Sequence, residues 1–164
     1  MKKNDMRQEL VQLGNGAQAL AIQILGNTED AADAVHDAFV SVLSKPKRYD
    51  QEKGPLKPWF YRVVRNSCID LMRRRRVSDP QIETLADAGP APDKQLEDQQ
   101  RDLKLQGALA QLNPDQRQIL VLRDYLDLSY AEISAVLDVA PGTVMSRLHR
   151  ARMALKLELE SHDE

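Results

Sequence analysis

The segment from Ser129 to Arg152, SYAEISAVLDVAPGTVMSRLHRAR, constrains the fold more than any other part of the 164-residue chain. Ser129 followed by Glu132 forms a capping box, in which a hydroxyl and a carboxylate each satisfy a backbone donor at a helix start. A short helix is therefore predicted from Tyr130, with Ile133, Val136 and Leu137 on its buried face. Asp138, Val139, Ala140 and Pro141 interrupt this period and restart it. The second helix, from Thr143, puts Val144, Leu148, Ala151 and Leu155 on one side, and Ser146, Arg147, His149, Arg150 and Arg152 largely elsewhere. From Pro141 to Lys156 there are four cations and no acid. A solvated face would account for the charge alone. The coincidence of a capped short helix, a tight turn and a basic second helix points instead to a helix-turn-helix lying in a groove lined by phosphates.

Composition bounds the rest. With 42% hydrophobic but only 4% aromatic residues, the chain suits two small helical domains better than a β-sandwich. The net charge is only −2, so a general basic character cannot explain nucleic-acid binding. Distribution can. Residues 45–76 hold eleven Lys or Arg against three acids, whereas residues 77–102 hold seven acids against two cations. Such segregation implies two cationic surfaces separated by an acidic connector. Cys68 stands alone, which excludes an internal disulfide and agrees with a reducing compartment. No apolar run approaches membrane-spanning length, and Lys2 and Lys3 are not followed by a signal-peptide core, so a cytoplasmic protein without membrane insertion is expected.

The breaks in the pattern set the organisation. Residues 77–95 carry Pro80, Gly89, Pro90 and Pro92 among acids and small residues with no apolar period, and read as a linker. Before it, Leu10, Leu13, Ala17, Leu20 and Ile24 recur at helical spacing, although Gly14 and Gly16 should each cost about 1 kcal/mol relative to Ala and leave this first helix broken or frayed. Thr28 is the expected cap of the next helix, whose stripe is Ala31, Val35, Ala38, Phe39 and Val42 and whose other side carries Asp33, His36 and Asp37. A polar loop, residues 45–57, leads through Pro58 into a third helix over 59–76, with Trp59, Val63, Ser67 and Leu71 expected inward. No period-two alternation appears. The expected fold is all-α: two small helical domains, 1–76 and 102–164, joined by a flexible acidic linker over 77–101, the second domain a helix-turn-helix.

The wording of these segments resembles a known family. LSYAEIS, a short turn, GTV and SRLHRAR are similar to the promoter-recognition domain of bacterial sigma factors of the extracytoplasmic-function (ECF) group, and the likeness runs from near Leu105 to Leu157. ILGNTEDAADAVHDAF, GPLKPWFYRVVRN and CIDLMRRRR resemble, segment by segment, the ECF domain that binds core RNA polymerase and the minus-ten element. Ahead of Asn15 the chain is shorter than is usual in that family. Met145 and His36 stand where the family more often has a basic residue and Gln, respectively.

Roles follow from the resemblance. Asp33, His36 and Asp37 correspond to the polar face that docks on the polymerase clamp helices; from the pattern alone a solvated face accounts for them equally well. Asn66 corresponds to the pocket for a flipped minus-ten base, since an amide can donate and accept to a base edge, although an ordinary surface amide is the alternative. Lys47, Arg48, Lys53 and Lys57 would form the rim of that site, and Arg62, Arg65 and the run Arg73 to Arg76 would hold phosphates. For the minus-thirty-five element the resemblance implies Ser129, Tyr130, Thr143, Met145, Ser146, Arg147, His149 and Arg150. Trp59 and Cys68 read as core residues rather than a stacking wedge and a nucleophile.

Three functions compete at this stage. A sigma factor explains both halves, with core RNA polymerase, promoter DNA and an anti-sigma factor as partners and release under stress as the regulation. A helix-turn-helix repressor or response-regulator output domain explains only the second half. An enzyme lacks support, because no phosphate-cradling Gly loop, paired carboxylates or nucleophile with its base is recognisable. No cofactor is expected, and no metal, since His36, His149 and His162 are scattered and show no zinc spacing.

Overall fold

Gly14 and Gly16 do not break the first helix. In the computed structural model, which describes residues 3–78 and 96–161, α1 runs unbroken over Lys3–Leu25. Packing outweighs the propensity cost: Leu10, Ala17, Leu20, Ala21 and Ile24 are buried, and Gly14 lies over Phe39. At Gly16 the missing side chain is required, because a Cβ would overlap the Tyr61 hydroxyl and come within 2.8 Å of Leu126.

α2 spans Thr28–Ser44 and buries Ala31, Ala34, Val35, Ala38 and Val42. Its cap is Asn27 rather than Thr28; the Asn27 side chain accepts from the Asp30 amide at 3.1 Å. Asn and Thr both favour this position, and adjacency in sequence does not distinguish them. The loop after α2 is pinned by two 3-10 turns, Pro46–Arg48 and Gln51–Lys53. The Tyr49 hydroxyl donates to the Gly54 carbonyl at 2.7 Å, and the Tyr49 and Trp59 rings pack with centroids 5.1 Å apart. Gly54 has φ 145°, a backbone state that a side chain would strain.

α3 covers Leu56–Ser78, longer at both ends than 59–76, and takes Pro58 in its first turn, where no amide proton is needed. Its buried residues are Leu56, Pro58, Phe60, Tyr61, Val64 and Cys68. The inward stripe is thus offset by one from Trp59, Val63, Ser67 and Leu71, which lie half-buried at the flank. The offset has a cause: α3 packs on α1 and α2 through one side and on the C-terminal helices through another, so its buried face is wider than one stripe. Burial pushes the Cys68 thiol up to about 12, against a smaller opposing effect of Arg65, so it stays protonated at neutral pH.

The second helical unit begins with α4, Leu96–Ala110, which makes residues 96–101 helical; linker residues 79–95 and His162 lie outside the described residues. α5, Pro114–Leu120, carries its own capping box between Asn113 and Gln116 and continues into a π turn, Val121–Tyr125. α6 is Tyr130–Leu137, with Ser129 and Glu132 making both bonds of the predicted box, at 3.1 and 2.9 Å, and Ile133, Val136 and Leu137 buried. Asp138 ends it in the left-handed conformation. α7, Pro141–Ser161, starts at its proline and buries Val144, Leu148 and Ala151. Among the described residues there is no strand.

Candidate nucleic-acid interface

The turn between α6 and α7 fixes where α7 presents its polar face. The Ser134 hydroxyl donates to the Val139 carbonyl, and the Val144 amide donates to the Ala140 carbonyl at 3.1 Å. With Val144, Leu148 and Ala151 seated in the core, Met145, Ser146, Arg147, His149 and Arg150 all stand exposed, and Thr143 is half-buried. Met145, Ser146, His149 and Arg150 share one side by the three- and four-residue rule. Met145 is 58% exposed, an unusual position for an apolar side chain on a cationic helix.

Around this face the remaining groups are committed to structure. Asp124 accepts from Arg152 with both oxygens, at 2.6 and 3.2 Å, a bidentate pair that removes one of the four cations of α7 from the free set. The Arg123 guanidinium lies 5.2 Å from the Tyr130 ring centre and donates to the Leu128 carbonyl at 2.8 Å. Tyr130 is therefore half-covered, and the Ser129 hydroxyl serves as a cap while its proton stays available to donate. Asp124 and Arg123 were not singled out from sequence; their partners lie 28 and 7 residues away, and no local pattern marks them.

On the N-terminal unit the cationic residues divide into two groups. Lys47, Arg48 and Lys53 are exposed on the pinned loop, and Arg73 and Arg76, with the neutral Asn66, are exposed on α3. Arg74 and Arg75 are engaged. Arg75 grips the buried Asp30 carboxylate through two contacts, 2.5 and 2.7 Å, which ties the start of α2 to the end of α3. Arg74 lies 3.6 Å from Asp37. Asp33, His36 and Asp37 are all exposed on α2, on the side away from its buried stripe.

Arg62, Arg65 and Lys57 turn toward the C-terminal unit. Arg65 donates to the Gln118 carboxamide oxygen at 3.1 Å, Lys57 to the Leu126 carbonyl at 3.1 Å, and Arg62 lies 3.8 Å from Asp138. Burial lowers the pKa of Arg65, with Asp115 opposing that effect and the like charge of Arg147 adding to it. From the other side, Arg117 reaches the Gln23 carbonyl at 2.9 Å, satisfying an acceptor in the last turn of α1. These cross-unit partners, Gln118, Leu126, Asp138 and Gln23, were also missed from sequence, since each lies 53 residues or more from the group it meets. Among the described residues no cluster of His, Cys, Asp and Glu suited to a metal occurs, and no helix is long and apolar enough to cross a membrane.

Comparison with known proteins agrees with this layout. The family description sigma-70 region 2 matches residues 10–77, and sigma-70 region 4 matches residues 102–155. The ECF RNA polymerase sigma factor SigE of Mycolicibacterium smegmatis is 36% identical over 87% of this chain, which spans 57% of SigE's length. SigL of Mycobacterium tuberculosis is 31% identical over 85% of this chain and 80% of its own length. Among solved structures, the sigma factor RpoE of Bartonella quintana, in complex with the anti-sigma factor NepR, has a TM-score of 0.79 at 28% identity, covering 95% of this chain and 97% of that one. With two sigma-70 regions in order and a relative of this likeness over most of both chains, the protein belongs to the ECF sigma factors.

Proposed function

We propose that this chain directs core RNA polymerase to specific promoters, acting as an initiation factor without catalysis of its own, in the cytoplasm where the polymerase works. The observation that carries the reading is the exposed side of α7, where Ser146, His149 and Arg150 face outward on a helix set by the preceding turn, the Ser146 hydroxyl donating to the Thr143 carbonyl at 3.2 Å. An α-helix fits the major groove, and donors such as these read base edges there. Thr143, Arg147, the cap Ser129 and Tyr130 at the start of α6 would contact the adjoining backbone. Asn66 would receive an unstacked minus-ten base, with Lys47, Arg48, Lys53 and Arg73 along the strand and Arg62 and Arg65 joining them. RpoE's complex with NepR supports an anti-sigma factor as a further partner, released under stress. Reconstituted transcription with core polymerase on a promoter library tests the reading directly. Promoter-selective transcripts are expected, and none above core polymerase alone would reject it.

Asp33, His36 and Asp37 are assigned to polymerase docking, the two acids facing a basic partner surface. Reversing Asp33 and Asp37 to Lys is expected to weaken core binding by at least about tenfold with little change in fold, because both are exposed. Titration of labelled core polymerase against the folded double variant decides it; wild-type affinity would remove these residues from the interface.

Met145 offers a separate test. Met145→Arg adds a cation beside Ser146 and Arg147, and a new phosphate contact would steepen the dependence of log affinity on log salt by about one unit. A salt series with holoenzyme on upstream-element duplex is the measurement. Weaker binding at unchanged slope would instead make Met145 an apolar contact to a thymine methyl.

A further inference from the structure

Arg152 stands where a phosphate contact would stand but is held by this chain's own acid. It lies three residues after His149 and seven after Met145, on the same outward side of α7. Tyr130, assigned to the adjoining DNA backbone, is its neighbour at the start of α6. From the π turn, Asp124 takes the guanidinium with both carboxylate oxygens, at 2.6 and 3.2 Å. The hydrogen bond to Asp124 raises the Arg152 pKa, and Tyr130 adds a smaller effect, so the guanidinium keeps its proton and its charge is cancelled within the pair. Arg123, over the Tyr130 ring, is committed as well, to the Leu128 carbonyl. Stability does not account for the Asp124–Arg152 pair: the two side chains are 46% and 47% exposed, and ion pairs at such a surface add little.

We infer that Asp124 is a positioning residue that withholds Arg152 from promoter phosphates, so that α7 meets duplex DNA with one cation fewer than its sequence carries. The inference rests on the reading of α7 as the promoter-facing helix. Each phosphate that a protein neutralises steepens the fall of log affinity with log salt by about 0.9, whatever the base sequence. Base edges are left to other groups on the same helix, Ser146, His149 and Arg150. Holding one cation back therefore weakens the grip on every duplex alike, and discrimination stays where the base contacts set it. The acid can do this without entering the groove, because it sits on the π turn rather than on α7.

The test is binding of reconstituted holoenzyme to an upstream-element duplex and to a scrambled duplex, over about 50 to 200 mM salt. Asp124→Asn, which keeps one acceptor, and Asp124→Ala, which keeps none, should bind both duplexes more tightly, with a slope steeper by about one unit. Their gain over wild type should shrink about threefold across that range, as one added phosphate contact requires. The double variant Asp124→Asn/Arg152→Gln removes the pair as a neutral unit and should return affinity and slope to wild type. An unchanged slope in folded Asp124→Asn and Asp124→Ala would overturn the withholding. A double variant with a slope shallower than wild type by about one unit would overturn it too, since Arg152 would then meet a phosphate while still bonded to Asp124. Failure of the functional reading looks different: Arg150→Ala would bind both duplexes as wild type does, every variant would share one slope, and the withholding falls with that reading.

Discussion

Arg75→Ala is expected to destabilise the N-terminal helices by about 3 kcal/mol, the lower end of the range for removing one partner of a buried ion pair. The Asp30 carboxylate is only 3% exposed, and Arg75 supplies its two close contacts. Without the guanidinium a carboxylate remains in the interior with only the positive end of α2 to offset it. The lower end applies because the Arg75 side chain is 39% exposed, so water can follow it out. Asp30→Ala should cost less, about 1–2 kcal/mol, since the stranded cation can be hydrated. Urea unfolding followed by the fluorescence of Trp59, the single tryptophan, reports this unit directly. If Asp30→Ala proved the more damaging of the two, the carboxylate would not be the trapped member of the pair.

Arg150→Ala and Asn66→Ala are expected to damage promoter use at different positions. Loss of a good base contact by Arg150 should cost about 1–3 kcal/mol at one or two bases of the upstream element and leave the others untouched. Asn66→Ala should act on the minus-ten element, where a flipped base loses an amide partner whose contacts offset a few kcal/mol of unstacking. Both side chains are exposed, so neither change should disturb the fold. Transcription from a library randomised at both elements, sequenced before and after, separates the two patterns. A uniform drop across all sequences for both variants would mean that these side chains hold backbone and read no bases.

Local chemistry made the helix-turn-helix legible. Ser129 and Glu132 answer each other three residues apart, and Val144, Leu148 and Ala151 face one partner surface, so period and burial coincide. The stripe of α2 was readable for the same reason. α3 was misread because it is covered on more than one side, and a single-stripe pattern picks out its half-buried flank, Trp59 among it. The unbroken α1 was misjudged because Gly16 is explained by Tyr61 and Leu126, which are 45 and 110 residues distant. Within the candidate site, cationic residue types and exposure could be anticipated. Which cations were already engaged could not, because Arg65, Arg75 and Arg152 find their partners through tertiary packing.

The π turn at Val121–Tyr125 makes chain length, rather than composition, the sensitive variable at this point of the sequence. A π turn holds one residue more than an α turn over the same advance. Deleting any one residue there would allow an ordinary helix to form, and each residue carries about 100° of rotation. The flanking segments would keep their register, but groups inside the turn would be re-aimed by up to that amount, and Asp124 would swing off Arg152. Substitutions within the turn are answerable to packing alone, but a deletion is read out as an angular error of the groups that the turn presents. Variation among relatives in this segment is therefore expected to change letters and to conserve their number.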